Sequence, residues 1–178
     1  MSNLLKISCL VIIGVFVLVG ILGAFVFVHN LQLQNTAVNN QWNKIETLYT
    51  QKIDLTSELI NNLQGSINAE DAIVNEFNQA KNTFQSSKTS ELKVKNIVNV
   101  EISIKKFIAM LDRYPELQSK PEVSQKVNEL LALGDNISPE AIKYNDLVTK
   151  YNALFKSFPN NLFARLNGYS KRSQLLSI

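Results

Sequence analysis

A chain of 178 residues with a net charge of +3, 46% hydrophobic residues and only 6 Gly and 4 Pro is too poor in turn formers for a sandwich or barrel. It is also too weakly basic for a nucleic-acid partner. Its single cysteine, Cys9, excludes an intramolecular disulfide and is read as a small apolar filler rather than an acylation site. The composition divides sharply. Ile7 to Val28 holds no charged side chain, whereas everything after His29 is mixed and largely polar. This predicts residues 1–30 as a short tail and transmembrane helix, 31–166 as a helical bundle, and 167–178 as a basic C-terminal tail.

The uncharged run has 22 residues. As a helix it extends about 33 Å, close to a hydrocarbon thickness of about 30 Å. It is longer than the apolar region of a cleaved leader and ends in Phe25-Val26-Phe27-Val28, a poor cleavage site, so a retained anchor is expected. A type IV pilin start is excluded by the missing glycine cleavage site and early glutamate. Gly14, Gly20 and Gly23 lack the Gly-x-x-x-Gly spacing of a helix contact face. Lys6 precedes the span and no charged side chain follows until Lys44, which places the N-terminus in the cytoplasm and the bundle outside.

From Val38 the apolar positions recur at helical spacing, through Trp42, Ile45 and Tyr49 and on through Leu55, Leu59, Ile60 and Leu63. Gly65 marks the expected end, and Asn68 with Ala69, Glu70 and Asp71 the next start. Ile73, Phe77, Ala80 and Phe84 form a second face. After the polar stretch Ser86 to Ser90, the face resumes as Ile97, Val100, Ile104, Phe107 and Leu111, which predicts one long helix with a kink or short loop in its middle. Tyr114-Pro115 ends it. Ser119 to Glu122 reads as a capping box, and a short helix runs to about Leu133, closed by Gly134. Ser138-Pro139-Glu140 starts the last helix, whose core face is Ala141, Tyr144, Val148, Tyr151, Phe155 and Phe158. Pro159 stops it, and Leu162, Phe163 and Leu166 form an apolar coda. The fold class expected is all-α: an N-terminal transmembrane helix followed by an antiparallel, up-and-down bundle of long helices.

The chemistry of sites is sparse. His29 has no ligand partners at metal spacing and reads as an interface residue. Glycine-rich phosphate loops and Gly-x-Ser-x-Gly turns are missing from the sequence. Glu70 with Asp71, and Glu116 with Glu122, lie at helix starts, where the dipole explains them. Trp42 is at core spacing. No catalytic, metal or cofactor residue is assigned. The interaction candidates are Tyr144, Asn145, Tyr151 and Asn152. The two Tyr-Asn pairs are seven residues apart, hence two turns apart on one face. The tyrosines fall in the core arc and the asparagines at its edge, where each either bonds a neighbouring helix or faces a partner. After Asp146 no acidic side chain remains, while Lys150, Lys156, Arg165, Lys171 and Arg172 do. That bias reads as a solvated helix face and basic tail, with lipid headgroups or an acidic partner as the functional counterpart.

Several segments, in order, carry a resemblance. They are Val38, Trp42 and Ile45 after an apolar helix; Asp54-Leu55-Thr56-Ser57-Glu58-Leu59-Ile60, similar to Asp-Leu-Ile-Pro-Asn-Leu-Val; Tyr114-Pro115-Glu116-Leu117; Tyr144-Asn145-Asp146; Tyr151-Asn152; and Ser157-Phe158-Pro159-Asn160-Asn161-Leu162. Together, from about Val38 to Tyr169, they resemble the LemA family. Two departures stand out. Ser57 replaces the family's proline, and Asp135 to Lys143 gains Pro139 and loses an arginine. The resemblance implies a membrane-anchored antiparallel bundle without agreed catalytic residues or ligand, an accessory protein of the bacterial envelope.

The functional expectation is a single-pass protein of the bacterial inner membrane, with its bundle on the extracytoplasmic side, acting as a non-enzymatic interaction module. Its partners are the lipid bilayer and either another membrane protein or a second copy of itself. The alternative is a small-ligand sensor, whose output must pass through a partner because only six residues precede the span.

Overall fold

The computed structural model describes residues 2–63 and 71–175, and among these the regular structure is entirely helical. The expected stop at Gly65, the cap at Asn68 to Glu70, and the side chains of Lys6, Cys9 and Asp71 lie outside the described residues. Among the described residues six helices are seen: α1 (Ser2–Leu63), α2 (Asp71–Ser86), α3 (Ser90–Leu111), α4 (Pro115–Gln118), α5 (Pro121–Ala153) and α6 (Asn160–Leu166).

The first helix carries the apolar run and the first bundle face on one uninterrupted rod of 62 residues, about 93 Å long at about 1.5 Å per residue. It is the one described helix apolar enough to cross a membrane, and its most apolar stretch is unburied by the rest of the chain. From Leu31 the burial changes. Leu31, Val38, Ile45, Lys52 and Leu59, each seven residues after the last, are all buried, and so are Trp42, Tyr49, Thr56 and Leu63. Seven residues are close to two helical turns, so these two series form a continuous stripe along one side. Val123, Leu130, Ile137, Tyr144 and Tyr151 repeat the same interval on α5.

These stripes meet in an up-and-down bundle. The rings of Trp42 and Tyr144 lie 6.0 Å apart, and Lys126 pairs with Glu58 at 2.7 Å, so α5 runs antiparallel to α1. Lys106 pairs with Glu76, and Asn96 donates to Ser87, so α2 and α3 form an antiparallel hairpin. Lys93 with Glu46, and Lys52 with Glu101, set α3 parallel to α1.

The structure corrects four sequence-based expectations. The one long helix expected to carry a kink or short loop at Ser86 to Ser90 is two helices that fold back on each other. Thr89 caps the second, its hydroxyl accepting from the Leu92 N–H at 3.3 Å. The capping box at Ser119 does not form: Ser119 closes α4, and its hydroxyl donates to the Glu116 carbonyl at 3.0 Å. Gly134 and Pro139 do not divide α5. Gly134 is not in the left-handed conformation that would stop a helix; among the described residues only Gly168 has positive φ. A proline inside a helix removes one backbone donor, a cost of about 3 kcal/mol. The unbroken stripe from Val123 to Tyr151, packed along α1, offsets it. Finally, α5 ends at Ala153 rather than at Pro159, so Phe158 leaves the core face and is 81% exposed.

Candidate functional site

The four interaction candidates come together, but on a surface that periodicity alone does not reveal. After α6 the chain turns back through Gly168, at φ +76°. The Gly168 N–H donates to the Arg165 carbonyl and the Tyr169 N–H to the Ala164 carbonyl, both at 3.0 Å, which closes the helix end as a Schellman motif. Residues 169–175 then run as an extended strap along α5, antiparallel to it. Of the segment expected as a solvated basic tail, residues 169–175 therefore lie against α5, with Leu175 only 5% exposed.

The Tyr-Asn pairs hold this strap by its backbone. Asn152 Nδ2 donates to the Arg172 carbonyl and Asn152 Oδ1 accepts from the Arg172 N–H, both at 2.9 Å. Asn145 does the same for Leu175, at 2.9 and 2.8 Å. The Tyr151 hydroxyl donates to the Ser170 carbonyl at 3.0 Å, and that of Tyr144 to the Ser173 carbonyl at 3.1 Å. Seven residues of helix rise about 10.5 Å, and three residues of extended chain cover about 10 Å. The two rungs therefore stay in register: two turns of α5 match the step from Arg172 to Leu175. A carboxamide offers one donor and one acceptor and can replace the edge of a neighbouring strand, which satisfies a backbone that would otherwise be buried unpaired.

Two further groups complete the clamp. The Arg172 guanidinium donates to Asn35 Oδ1 at 2.9 Å and Asn39 Oδ1 at 3.0 Å, tying the strap to α1. The Ser173 N–H donates to Glu91 Oε1 at 2.9 Å, tying it to α3. The other Glu91 carboxylate oxygen is buried with no hydrogen-bond partner. Burial raises the Tyr144 phenol from 10.0 to about 12; Glu91 adds to the rise, and Arg172 opposes it. Burial also raises the Tyr151 phenol, with Arg172 again opposing. Asn35, Asn39 and Glu91 escaped the sequence reading because they lie on other helices, outside any local motif.

Beyond Leu175 a cavity of about 220 Å³ opens between α1, α3 and α5, lined among others by Tyr49, Lys52, Glu101, Gly134 and Ile137. Lys52 Nζ donates to both Glu101 carboxylate oxygens, at 2.8 and 2.7 Å. Burial pushes the Tyr49 phenol well above its ordinary range, and the Glu101 charge adds to it. Glu140 is held below the usual carboxylate range by the hydrogen bond from Gln41, whose Nε2 also donates to the Glu140 carbonyl at 3.1 Å. The Trp42 indole donates to Glu46 at 2.7 Å. Among the described residues no group of three or more His, Cys, Asp or Glu is placed to hold a metal ion.

The model of the LemA family matches residues 41–177. The chain belongs to the LemA family. In this LemA family member the matched region takes in all four Tyr-Asn residues and the strap they grip, and leaves out the apolar half of α1. No curated protein matches the chain.

Proposed function

We propose that the chain is a tethered, non-enzymatic accessory module: a stiff rod that holds a helical bundle at a fixed height on the outer side of a bacterial inner membrane. The observation that carries this reading is the continuity of α1, in which the apolar run and the bundle core share one helix without a linker. A rod of that kind transmits position, not catalysis. Among the described residues its buried charges, Lys52 and Glu101, pair with each other and hold α1 to α3. The partner is another membrane protein or a second copy of the chain.

A small-ligand sensor is the competing reading, and the cavity beside Lys52 is its support. That cavity is smaller than the roughly 300–1,000 Å³ of most ligand sites. Its two charges also neutralise each other, so the tethered module is preferred.

Alkaline carbonate washing of membranes is expected to leave the chain in the pellet, and protease added to spheroplasts is expected to digest the bundle. Crosslinking in intact membranes then identifies what it touches. Release into the supernatant overturns the tether, and a protected bundle reverses its side.

A further inference from the structure

The corner between α5 and the strap exposes a row of large apolar side chains that the bundle does not use. Phe158 is 81% exposed, Leu162 47% and Leu166 74%. They are spaced four residues apart, so Leu162 and Leu166 share one face of α6, and Phe158 precedes it in line. The opposite side of the same helix is anchored, with Ala164 fully buried. Lys156, Arg165 and Lys171 are exposed around the row, and the sequence has no acidic side chain after Asp146.

The position of this corner is set by the bundle. With Tyr144 opposite Trp42, the antiparallel register carries Ala153, the last residue of α5, to the level of Leu33. The strap then starts back from Gly168 and reaches Asn35 and Asn39 through Arg172. The short helix α6 packs on α1 and so lies on the span side of Asn35, where Leu31 is fully buried and Phe27 and Val28 are half-buried. From Asn35 to Val28, the end of the uncharged run, the helix rises about 10 Å. The polar layer on each side of the hydrocarbon is about 5–8 Å thick. A row of exposed Phe and Leu at that height meets lipid, and lysine and arginine beside it meet headgroup phosphates.

We propose that the α5–α6 corner is a second membrane contact, with Phe158, Leu162 and Leu166 dipping into the interface and Lys156, Arg165 and Lys171 on anionic headgroups. This rests on the tethered reading above. The rod alone leaves the bundle free to tilt and to spin about the span; the corner fixes both, so that one face of the bundle always points the same way along the surface.

The test uses the full chain carrying Cys9→Ser, reconstituted in vesicles of phosphatidylethanolamine with a minority of phosphatidylglycerol. Spin labels are placed one at a time through L18C, F158C, L162C, L166C and L131C. Collision with oxygen, which partitions into lipid, is compared with collision with a water-soluble nickel chelate. The expected result is a several-fold higher oxygen-to-nickel ratio at positions 18, 158, 162 and 166 than at 131, which is exposed far from the span. A water-like ratio at 158, 162 and 166 with a lipid-like ratio at 18 overturns the corner contact and leaves the tether standing. A water-like ratio at 18 overturns the tether itself. Labels at the corner shielded from both reagents point to a protein surface there, and also overturn the lipid assignment.

Discussion

The two halves of α1 are one helix, the first uncovered by the rest of the chain and apolar enough to cross a membrane, the second packed in the bundle. From Leu10 to Leu22 its apolar side chains point outward all round; Phe16 is 74% exposed, and Phe25 beyond it 72%. From Leu31 the apolar residues draw into a stripe, and Trp42 is 1% exposed. The backbone does not register the change. In lipid a helix satisfies its own backbone groups and side chains need no partner. In water the same geometry is held only if one face is covered. The difference shows that the continuity of α1 does not depend on what covers it, whereas the side it buries does.

Exchanging aromatics tests this contrast most strongly. In detergent-solubilised full-length chain, Trp42→Ala is expected to lower the unfolding free energy of the bundle by about 3–5 kcal/mol, the usual cost of emptying a large core site. Phe16→Ala on the same helix is expected to leave bundle melting unchanged, followed by circular dichroism. An equal fall for both would mean that the apolar half contributes to the bundle's stability.

The stripe is not purely apolar, and Lys52 is the place to test how it tolerates charge. Lys52→Met leaves Glu101 buried and unpaired, with an expected cost of about 3–5 kcal/mol. Adding Glu101→Leu is expected to recover most of that loss. If the double variant melts no higher than the single one, the ion pair holds the helices in a way that apolar packing does not replace.

The strap clamp comes next in size. Asn145→Ala and Asn152→Ala each leave a strap N–H and carbonyl without partners, at about 1–3 kcal/mol per site. The strap should also become sensitive to proteolysis between Tyr169 and Leu175 before the helices melt. Unchanged melting with loss of a crosslinked partner would instead make the pair a docking site that the strap covers.

The smallest effect expected is a pH dependence. A phenol raised from 10.0 to about 12 in the folded chain favours the neutral form there. Its contribution is complete below pH 10.0 and falls away as pH rises towards about 12. Tyr144→Phe is expected to flatten part of that alkaline loss in a series of denaturant melts, with Tyr49 and Tyr151, both also raised, accounting for the rest.

The sequence by itself determined the helical class, the apolar run, the faces of α1 and α3, and the placing of Trp42 in the core. Each is a local property: side-chain period and composition act within a few turns, so they can be read from neighbours in the chain. It also singled out Tyr144, Asn145, Tyr151 and Asn152, because a seven-residue repeat is visible along one helix. What they bind was decided only by tertiary structure. Their partners are the backbone of residues 170–175, which carry no side-chain signal of being gripped, and Glu91, Asn35 and Asn39 hold that same strap from other helices. The same holds for α5, where Gly134 and Pro139 read locally as stops. Only contact along the bundle half of α1 makes a continuous helix the lower state, and no window of a few residues contains that contact.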